Sequence, residues 1–436
     1  MITVAELVSP ERLVMVRQLA TSLVATFGAY GVYRLLDFFY RQWTSPLRDL
    51  PGPPNESVVF GNLKSLWGAP SKKLYTTDCK ALNHIVMNSS VYQKPAPARW
   101  FLSRLLGEGV LIVEGETHKN QRKIMVREFS FGAAQIRELT EIFIDKSLEL
   151  RDAWTAEISR EGEVATVNGL AWLSRMTLDV IGLAGFNYKF NALADGEERT
   201  ELSHAFANLF GRAAGRPGPF MLMRARFPLL RWIPARSDAS RKQARSSMVT
   251  IGKELLQNSK DSLVKDGKFE KSSLTNRNLL TLLVRANMDT DIPENQRMSD
   301  EEVLAQVPTF IVAGHETTST ATAWALFALS KAPETQKKLR DELLAVPNDN
   351  PSMDELNSLP YLDAVVREAL RLHAPVPNSS RVAVKDDILP LGKPVVDRYG
   401  KSHDSILIRK GDEVLIPIMV INHDKTIWGE DSHEFK

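Results

Sequence analysis

The chain has 436 residues, of which 55 are lysine or arginine and 53 aspartate or glutamate, for a formal charge of +2. That balance argues against a nucleic-acid-binding protein, which concentrates basic residues. The single cysteine, Cys79, excludes an internal disulfide and a cysteine-rich zinc site, and favours a reducing compartment. The length buries a large core without covalent staples, and a mean hydropathy of −0.20 excludes a multi-span membrane protein while leaving room for a single anchor.

Residues 1–45 read as an anchor with its flanks. Leu19 to Tyr33 is a charge-free apolar stretch. As a helix it covers about 22 Å, short of the ~30 Å hydrocarbon core of a bilayer. Arg17 and Arg34 at its ends are placed to snorkel to the two interfaces. Tyr30, Tyr33, Phe38, Phe39, Tyr40 and Trp43 resemble an interfacial aromatic belt. An amphipathic helix lying on a surface or a cleaved signal is the alternative, and the lack of an obvious small-x-small cleavage pattern before the polar region makes cleavage the weaker of the two. Arg34, Arg41 and Arg48 follow the stretch and only Arg12 and Arg17 precede it, so the positive-inside rule leaves the rest of the chain in the cytosol. Residues 46–55 carry Pro46 and Leu50-Pro51-Gly52-Pro53-Pro54, a stiff hinge. Val58-Val59-Phe60, ended by Gly61-Asn62, reads as a first strand or turn.

Residues 56–436 read as one large domain, mainly α with a small antiparallel β portion. Leu139, Ile142, Phe143, Lys146 and Leu150 make one helical face, and Leu173 to Leu183 continues in a second helix. The segment 211–236, with Pro219-Phe220-Met221-Leu222-Met223, suits a cover over a ligand cavity, a membrane contact or an ordinary interhelix loop. Ser299 and Glu302 have capping-box spacing, and Asp300 and Glu301 favour a helix start. The helix they open runs to Ser330, before Pro333, and is about 45–50 Å long. Its middle is almost uncharged, which predicts burial, and Pro308 inside it predicts a bend. Two further helices fall at Glu334–Leu344 and Leu362–His373. After Pro375 the period changes: Ser405–Arg409 and Glu413–Ile416 read as two strands joined by the turn Lys410-Gly411-Asp412.

Three constellations carry candidate chemistry. Phe310-Ile311-Val312-Ala313-Gly314-His315-Glu316-Thr317-Thr318-Ser319-Thr320 interrupts an apolar helix with a glycine, an acid and hydroxyls. Gly314 permits close approach to the backbone. Thr317 is spaced to bond the Ala313 carbonyl, and an acid beside an alcohol in a dry site makes a proton relay. A polar seam between two helices is the plain alternative. In Val366-Arg367-Glu368-Ala369-Leu370-Arg371, Glu368 and Arg371 share a helix face, as a buried bidentate pair or as an exposed one of little worth. In Gly115-Glu116-Thr117-His118-Lys119-Asn120-Gln121-Arg122-Lys123, His118 and Arg122 lie four apart and both can donate to an anion, or they form a solvated basic helix start. Arg381, beyond Pro375 and Pro377, is a further candidate donor or an ordinary surface arginine.

Taken together and in this order, from the hinge near Pro51 to Lys436, these motifs resemble the cytochrome P450 family of haem-thiolate monooxygenases, in its membrane-bound branch. Ala313-Gly314-His315-Glu316-Thr317-Thr318 is similar to the family's oxygen-binding helix, and Glu368 with Arg371 to its Glu-x-x-Arg motif. The wording around His118 looks most like fungal members. The resemblance implies a haem cofactor, a lipophilic small-molecule substrate into which one atom of dioxygen is inserted, and NADPH electrons arriving through NADPH–cytochrome P450 reductase. It implies an endoplasmic-reticulum membrane location with the catalytic domain in the cytosol. Glu316 and Thr317 would deliver protons, and Ala313 and Gly314 would line the distal face of the haem. His118, Arg122 and Arg381 would bind its propionates, and Glu368 and Arg371 would hold the proximal side. Lys119, Lys123 and Arg127 would present a basic face to an acidic reductase.

The family's axial cysteine belongs to a Phe-x-x-Gly-x-Arg-x-Cys-x-Gly loop beyond the Glu-x-x-Arg helix. The sequence stops at His433-Glu434-Phe435-Lys436, ahead of that loop. The expectation is a P450 fold incomplete at its C-terminus, with no metal ligand of its own and no activity as it stands. Cys79, in Thr77-Asp78-Cys79-Lys80-Ala81, reads as a small core or surface thiol. The competing expectation is a non-catalytic membrane-associated protein that binds lipophiles or modulates a partner.

Overall fold

A computed structural model describes residues 10–52, 73–129, 133–162, 164–194, 200, 219–265, 278–288, 293 and 297–436. The chain divides into two compact units, Met1–Tyr92 with Val382–Leu415, and Gln93–Arg381 with Ile416–Lys436.

The first unit opens with helix α1, Pro10–Thr44. Within it the 28 residues Val14–Arg41 are apolar enough to cross a membrane, and their most apolar window has no buried share. They span about 42 Å, more than a bilayer core. The span is longer than the charge-free stretch because Arg17 and Arg34 stay inside the helix. Ser45 accepts the Leu47 N–H and opens a 3₁₀ turn at Pro46–Arg48, so the segment expected to act as a hinge begins as ordered backbone. The Val58–Asn62 run lies outside the described residues.

Strand β1 (Lys73–Tyr75) and helix α2 (Cys79–Met87) follow, and the chain passes between the units in β2 (Tyr92–Gln93) and β3 (Ser379–Ala383). The two late strands form, as β5 (Ser402–Ile408) and β6 (Glu413–Ile416), but they are not hairpin partners. Strand β6 runs parallel to β1, with Lys73 opposite Glu413 and an ion pair of 2.9 Å between them. Strand β5 pairs antiparallel with β4 (Asp387–Val396), with Asp387 opposite Ile408 and Val396 opposite Ser402. Gly411, at φ +95°, turns the chain away from β5. Strand β4 hides in the sequence because Pro390, Gly392 and Pro394 read as loop. A register shift between Pro390 and Val395 absorbs them. Asp78 accepts the N–H groups of Gly392 (2.8 Å) and Lys393 (3.1 Å) there while capping α2 through Ala81 N–H at 2.9 Å.

The second unit is helical: α3 (Ala96–Leu106), α4 (Gly115–Phe129), α5 (Ala133–Glu161), α6 (Gly169–Phe186), α7 (Pro219–Arg226), α8 (Arg236–Lys265), α9 (Leu279–Met288), α10 (Asp300–Lys331), α11 (Pro333–Leu344), α12 (Met353–Asn357), α13 (Pro360–Leu372), α14 (Ile418–Ile421) and α15 (Lys425–Trp428). Helix α10 is its axis. Ser299 and Glu302 close a reciprocal capping box at its start, and Pro308 sits inside it without ending it. Val303, Val307, Ile311, His315 and Ser319 bury one stripe, and the aliphatic members join Leu178, Phe186, Phe190, Leu280 and Leu283 in the main core. The uncharged middle is therefore buried on one face only. Ala313 and Glu316 are exposed on the other, because α6 covers one side and 3.6 residues per turn carry these positions away from it.

Glycine sets how closely these layers approach. A Cβ on Gly182 would lie 2.4 Å from the Phe190 ring and 2.6 Å from the Tyr188 carbonyl oxygen. The Tyr188 N–H already bonds the Gly182 carbonyl at 2.9 Å, so the loop has no room to retreat. Gly182→Ala is expected to destabilise by about 1–3 kcal/mol, read as a lower urea midpoint at unchanged slope. Of segment 211–236, residues 211–218 lie outside the described residues. The remainder is α7, a 3₁₀ turn at Pro228–Trp232 and the start of α8.

Candidate active site

The Ala313–Thr318 motif divides between two faces of α10. The Thr317 hydroxyl donates to the Ala313 carbonyl at 2.6 Å, leaving its lone pairs to accept. Ala313 and Glu316 are exposed, and Thr317 beside them is half-buried. Gly314 faces α6: a Cβ there would sit 3.0 Å from Cδ1 of Ile181. His315 is buried beside it, and its carbonyl accepts the Thr177 hydroxyl at 2.9 Å. Burial pushes the His315 imidazole down to about 4, against a hydrogen bond with the Ile311 backbone that favours the charged form. His315 is therefore neutral and structural at pH 7. Glu316 is solvent-accessible, yet the protein around it desolvates the carboxyl enough to raise its pKa. One turn on, Thr320, Ala323, Trp324 and Phe327 line an open depression of about 320 Å³ with Leu170.

Helix α4 is locked to α10 by two buried glutamines. Gln121 donates to Glu302 Oε1 (3.1 Å) and to the Glu108 carbonyl (3.3 Å). Gln306 donates to Gln121 Oε1 (3.1 Å) and accepts the Val110 N–H (3.0 Å). Gly109 lets the loop before α4 lie on α10, since a Cβ there would meet Thr309 Oγ1 at 2.5 Å. This lock fixes the helix that carries His118 and Arg122. Burial and the neighbouring charge of Lys94 lower the His118 pKa, Glu114 raises it and Arg122 lowers it further. Lys94 lies 3.4 Å from Glu114 and donates to the Val113 carbonyl at 3.3 Å. Burial lowers its pKa, Glu114 opposes this, and Arg381 and Arg99 add to it. Arg381 donates to Ser379 Oγ at 2.9 Å and to the Ser380 carbonyl at 2.8 Å.

Lys94, Arg99, His118, Arg122 and Arg381 thus share one electrostatic neighbourhood with the acid Glu114. Arg99 Nε is buried there without a hydrogen-bond partner. A group bearing carboxylates fits this surplus of cationic donors. Lys94 and Arg99, beside Pro95 and Pro97, look like an ordinary loop in the sequence, and Glu114 before Gly115 looks like an ordinary acid at a helix start. Lys119 is exposed and lies 3.6 Å from Glu116, and Lys123 is exposed. The Arg127 side chain lies outside the described residues.

Glu368 and Arg371 form a bidentate pair at 2.6 and 2.7 Å, with side chains 16% and 9% exposed. Arg371 also donates to the carbonyls of Asn422 (2.7 Å), Ser432 (2.6 Å) and Glu434 (3.1 Å), and Glu368 accepts the Lys436 N–H at 3.2 Å. One guanidinium thus gathers the segment after α14 onto α13. Cys79, the first residue of α2, is exposed in the other unit. Among the described residues no cluster of histidine, cysteine, aspartate or glutamate is arranged to hold a metal ion.

The chain belongs to the cytochrome P450 family, whose model matches residues 57–436. It is 50% identical to cytochrome P450 monooxygenase 205 of the fungus Postia placenta over 433 residues, 94% of this chain and 79% of that protein. Cytochrome P450 monooxygenase 128 of the same fungus is 46% identical, over 94% of this chain and 80% of its own length. Cytochrome P450 monooxygenase claP of Ampulloclitocybe clavipes is 35% identical, over 90% and 76%. The protein is a haem-dependent monooxygenase, an oxidoreductase whose class acts on lipophilic substrates with electrons from a redox partner.

Proposed function

We propose that Ala313, Gly314, Glu316 and Thr317 form the oxygen side of the haem site, and that His118, Arg122 and Arg381 hold the haem propionates. Haem iron, when bound, supplies the activation of dioxygen. The protein's own part is to move protons and position groups. Glu316, its pKa raised, holds a proton closer to neutral pH than an ordinary carboxyl does. Thr317, its hydroxyl tied to Ala313, offers lone pairs to an incoming donor on the same face. Gly314, on the packed face, acts by letting α10 lie close to Ile181 of α6. Glu368 and Arg371 hold the opposite side by the carbonyls they gather. The observation that carries this reading is the separation of the α10 motif into a packed face and an open polar one.

The test uses haem itself. Binding of haem to the chain, followed by absorbance, is expected to weaken roughly tenfold when both propionates are esterified, the scale of losing charge-assisted hydrogen bonds. His118→Gln and Arg122→Gln are expected to erase that difference. Equal affinity for haem and its dimethyl ester would remove the propionate assignment.

We further propose that residues 1–45 anchor the protein in the endoplasmic-reticulum membrane, with 46–55 as hinge and 56–436 as a cytosolic catalytic domain served by NADPH–cytochrome P450 reductase. The exposed span Val14–Arg41 and the basic residues after it support this. Deleting residues 1–45 is expected to move the protein from the carbonate-resistant membrane pellet to the soluble fraction. An unchanged distribution would count against the anchor.

A further inference from the structure

Trp100, on α3, carries three guanidinium groups against its indole. Arg231 lies 4.7 Å from the ring centroid, Arg104 5.2 Å and Arg224 5.8 Å. One aspartate serves two of them. Asp238, in the first turn of α8, lies 2.7 Å from Arg104 and 2.9 Å from Arg224, and it accepts the Ala235 N–H at 3.0 Å. Burial raises the Asp238 pKa, but the hydrogen bonds from Arg224, Ala235 and Arg104 outweigh it and hold the carboxyl well below its usual range. Arg224 also donates to the Arg231 carbonyl, and Arg231 Nε to the Arg224 carbonyl, both at 3.2 Å.

That wiring is incomplete. Arg224 is 2% exposed, yet its Nε has no hydrogen-bond partner, and neither has Nη1 of Arg104. Leaving a charged donor dry and unpaired is costly. Two guanidinium edges that share one carboxylate and still have buried N–H groups to spare call for a second anion. The planar fork of arginine matches two oxygens on one carbon. The surroundings are apolar. The Phe220 ring lies 5.9 Å from the Arg224 guanidinium, and Met223, Phe227, Leu229 and Trp232 of the same segment are exposed, Trp232 at 89%.

We infer that Arg104, Arg224 and Arg231 around Trp100 form an anion subsite that takes the carboxylate of a lipophilic carboxylic acid, the tail lying along Phe220, Met223, Phe227, Leu229 and Trp232. This rests on the reading that the enzyme's substrate is lipophilic, and adds its polar end. An acidic lipid headgroup offers the same oxygen chemistry, so the test separates the two. The full chain is dialysed to equilibrium against labelled dodecanoate and dodecan-1-ol, an acid and a neutral alcohol of equal length. Dodecanoate is expected to bind roughly tenfold more tightly than the alcohol, as for one charge-assisted hydrogen bond gained. Arg104→Gln and Arg231→Gln, which leave the buried Arg224–Asp238 pair in place, should each abolish most of that preference and spare the alcohol. Equal binding of acid and alcohol overturns the subsite and keeps the lipophilic-substrate reading, whereas binding of neither overturns both. Losses shared by acid and alcohol in the two variants would make the node a structural brace and also overturn it. So would variants that weaken adhesion only to phosphatidylcholine vesicles containing phosphatidylglycerol, which would assign the node to a headgroup.

Discussion

Arg371→Ala is expected to destabilise the second unit by about 3–5 kcal/mol, the usual cost of stripping one partner from a buried ion pair. The loss has two parts. Glu368, 16% exposed, keeps its charge with only the Lys436 N–H in hand, and the carbonyls of Asn422, Ser432 and Glu434 lose their shared donor. Arg371→Lys restores a charge but not the fork that reaches both carboxylate oxygens, and should recover less than half of the loss. Thermal unfolding and hydrogen exchange over residues 418–436 read the effect. Protection there equal to wild type in Arg371→Ala would show that the guanidinium does not hold that segment.

The second large effect concerns Glu316 and Thr317. Removing a positioned proton carrier costs roughly 10²-fold or more in turnover. On the proposed proton path, and in protein carrying the family's axial-cysteine loop, Glu316→Gln and Thr317→Ala are each expected to show a loss of that order, with substrate affinity little changed. Their pH behaviour should differ. In the folded protein Glu316 holds its proton above the ordinary 4.5, while the unfolded chain ionises there. Ionisation therefore favours the unfolded state, and stability from this group falls as pH rises from 4.5 to the raised folded value, then levels. Glu316→Gln should flatten the stability profile in that window, and Thr317→Ala should leave it sloped. Parallel profiles in the two variants would mean that the Glu316 carboxyl is not desolvated.

Much of this site was legible because its signals are local. The capping box at Ser299 needs only three residues of spacing, and the polar break from Ala313 to Thr320 needs only its contrast with an apolar helix. The i,i+3 spacing puts Glu368 and Arg371 on one face, but spacing does not say whether the face is buried. That was settled by Asn422, Ser432 and Glu434, more than 50 residues away in sequence, arriving with their carbonyls. The two late strands were visible in their composition, and their partners were not. Strand β6 found β1, some 340 residues earlier, and β5 found a neighbour that its prolines disguised.

By itself the sequence determined the helical plan, the apolar N-terminal span, the motifs on α10 and α13, and through them the family. Caps, periodicity and charge act over three or four residues, within reach of the chain's own local order. Only the tertiary structure decided which face of α10 stayed open, which basic residues gather around Glu114, and how three arginines came to share Trp100. Those outcomes depend on side chains from separate helices competing for the same few acids and the same dry space, and on glycines that let the backbones close to within one atom's width.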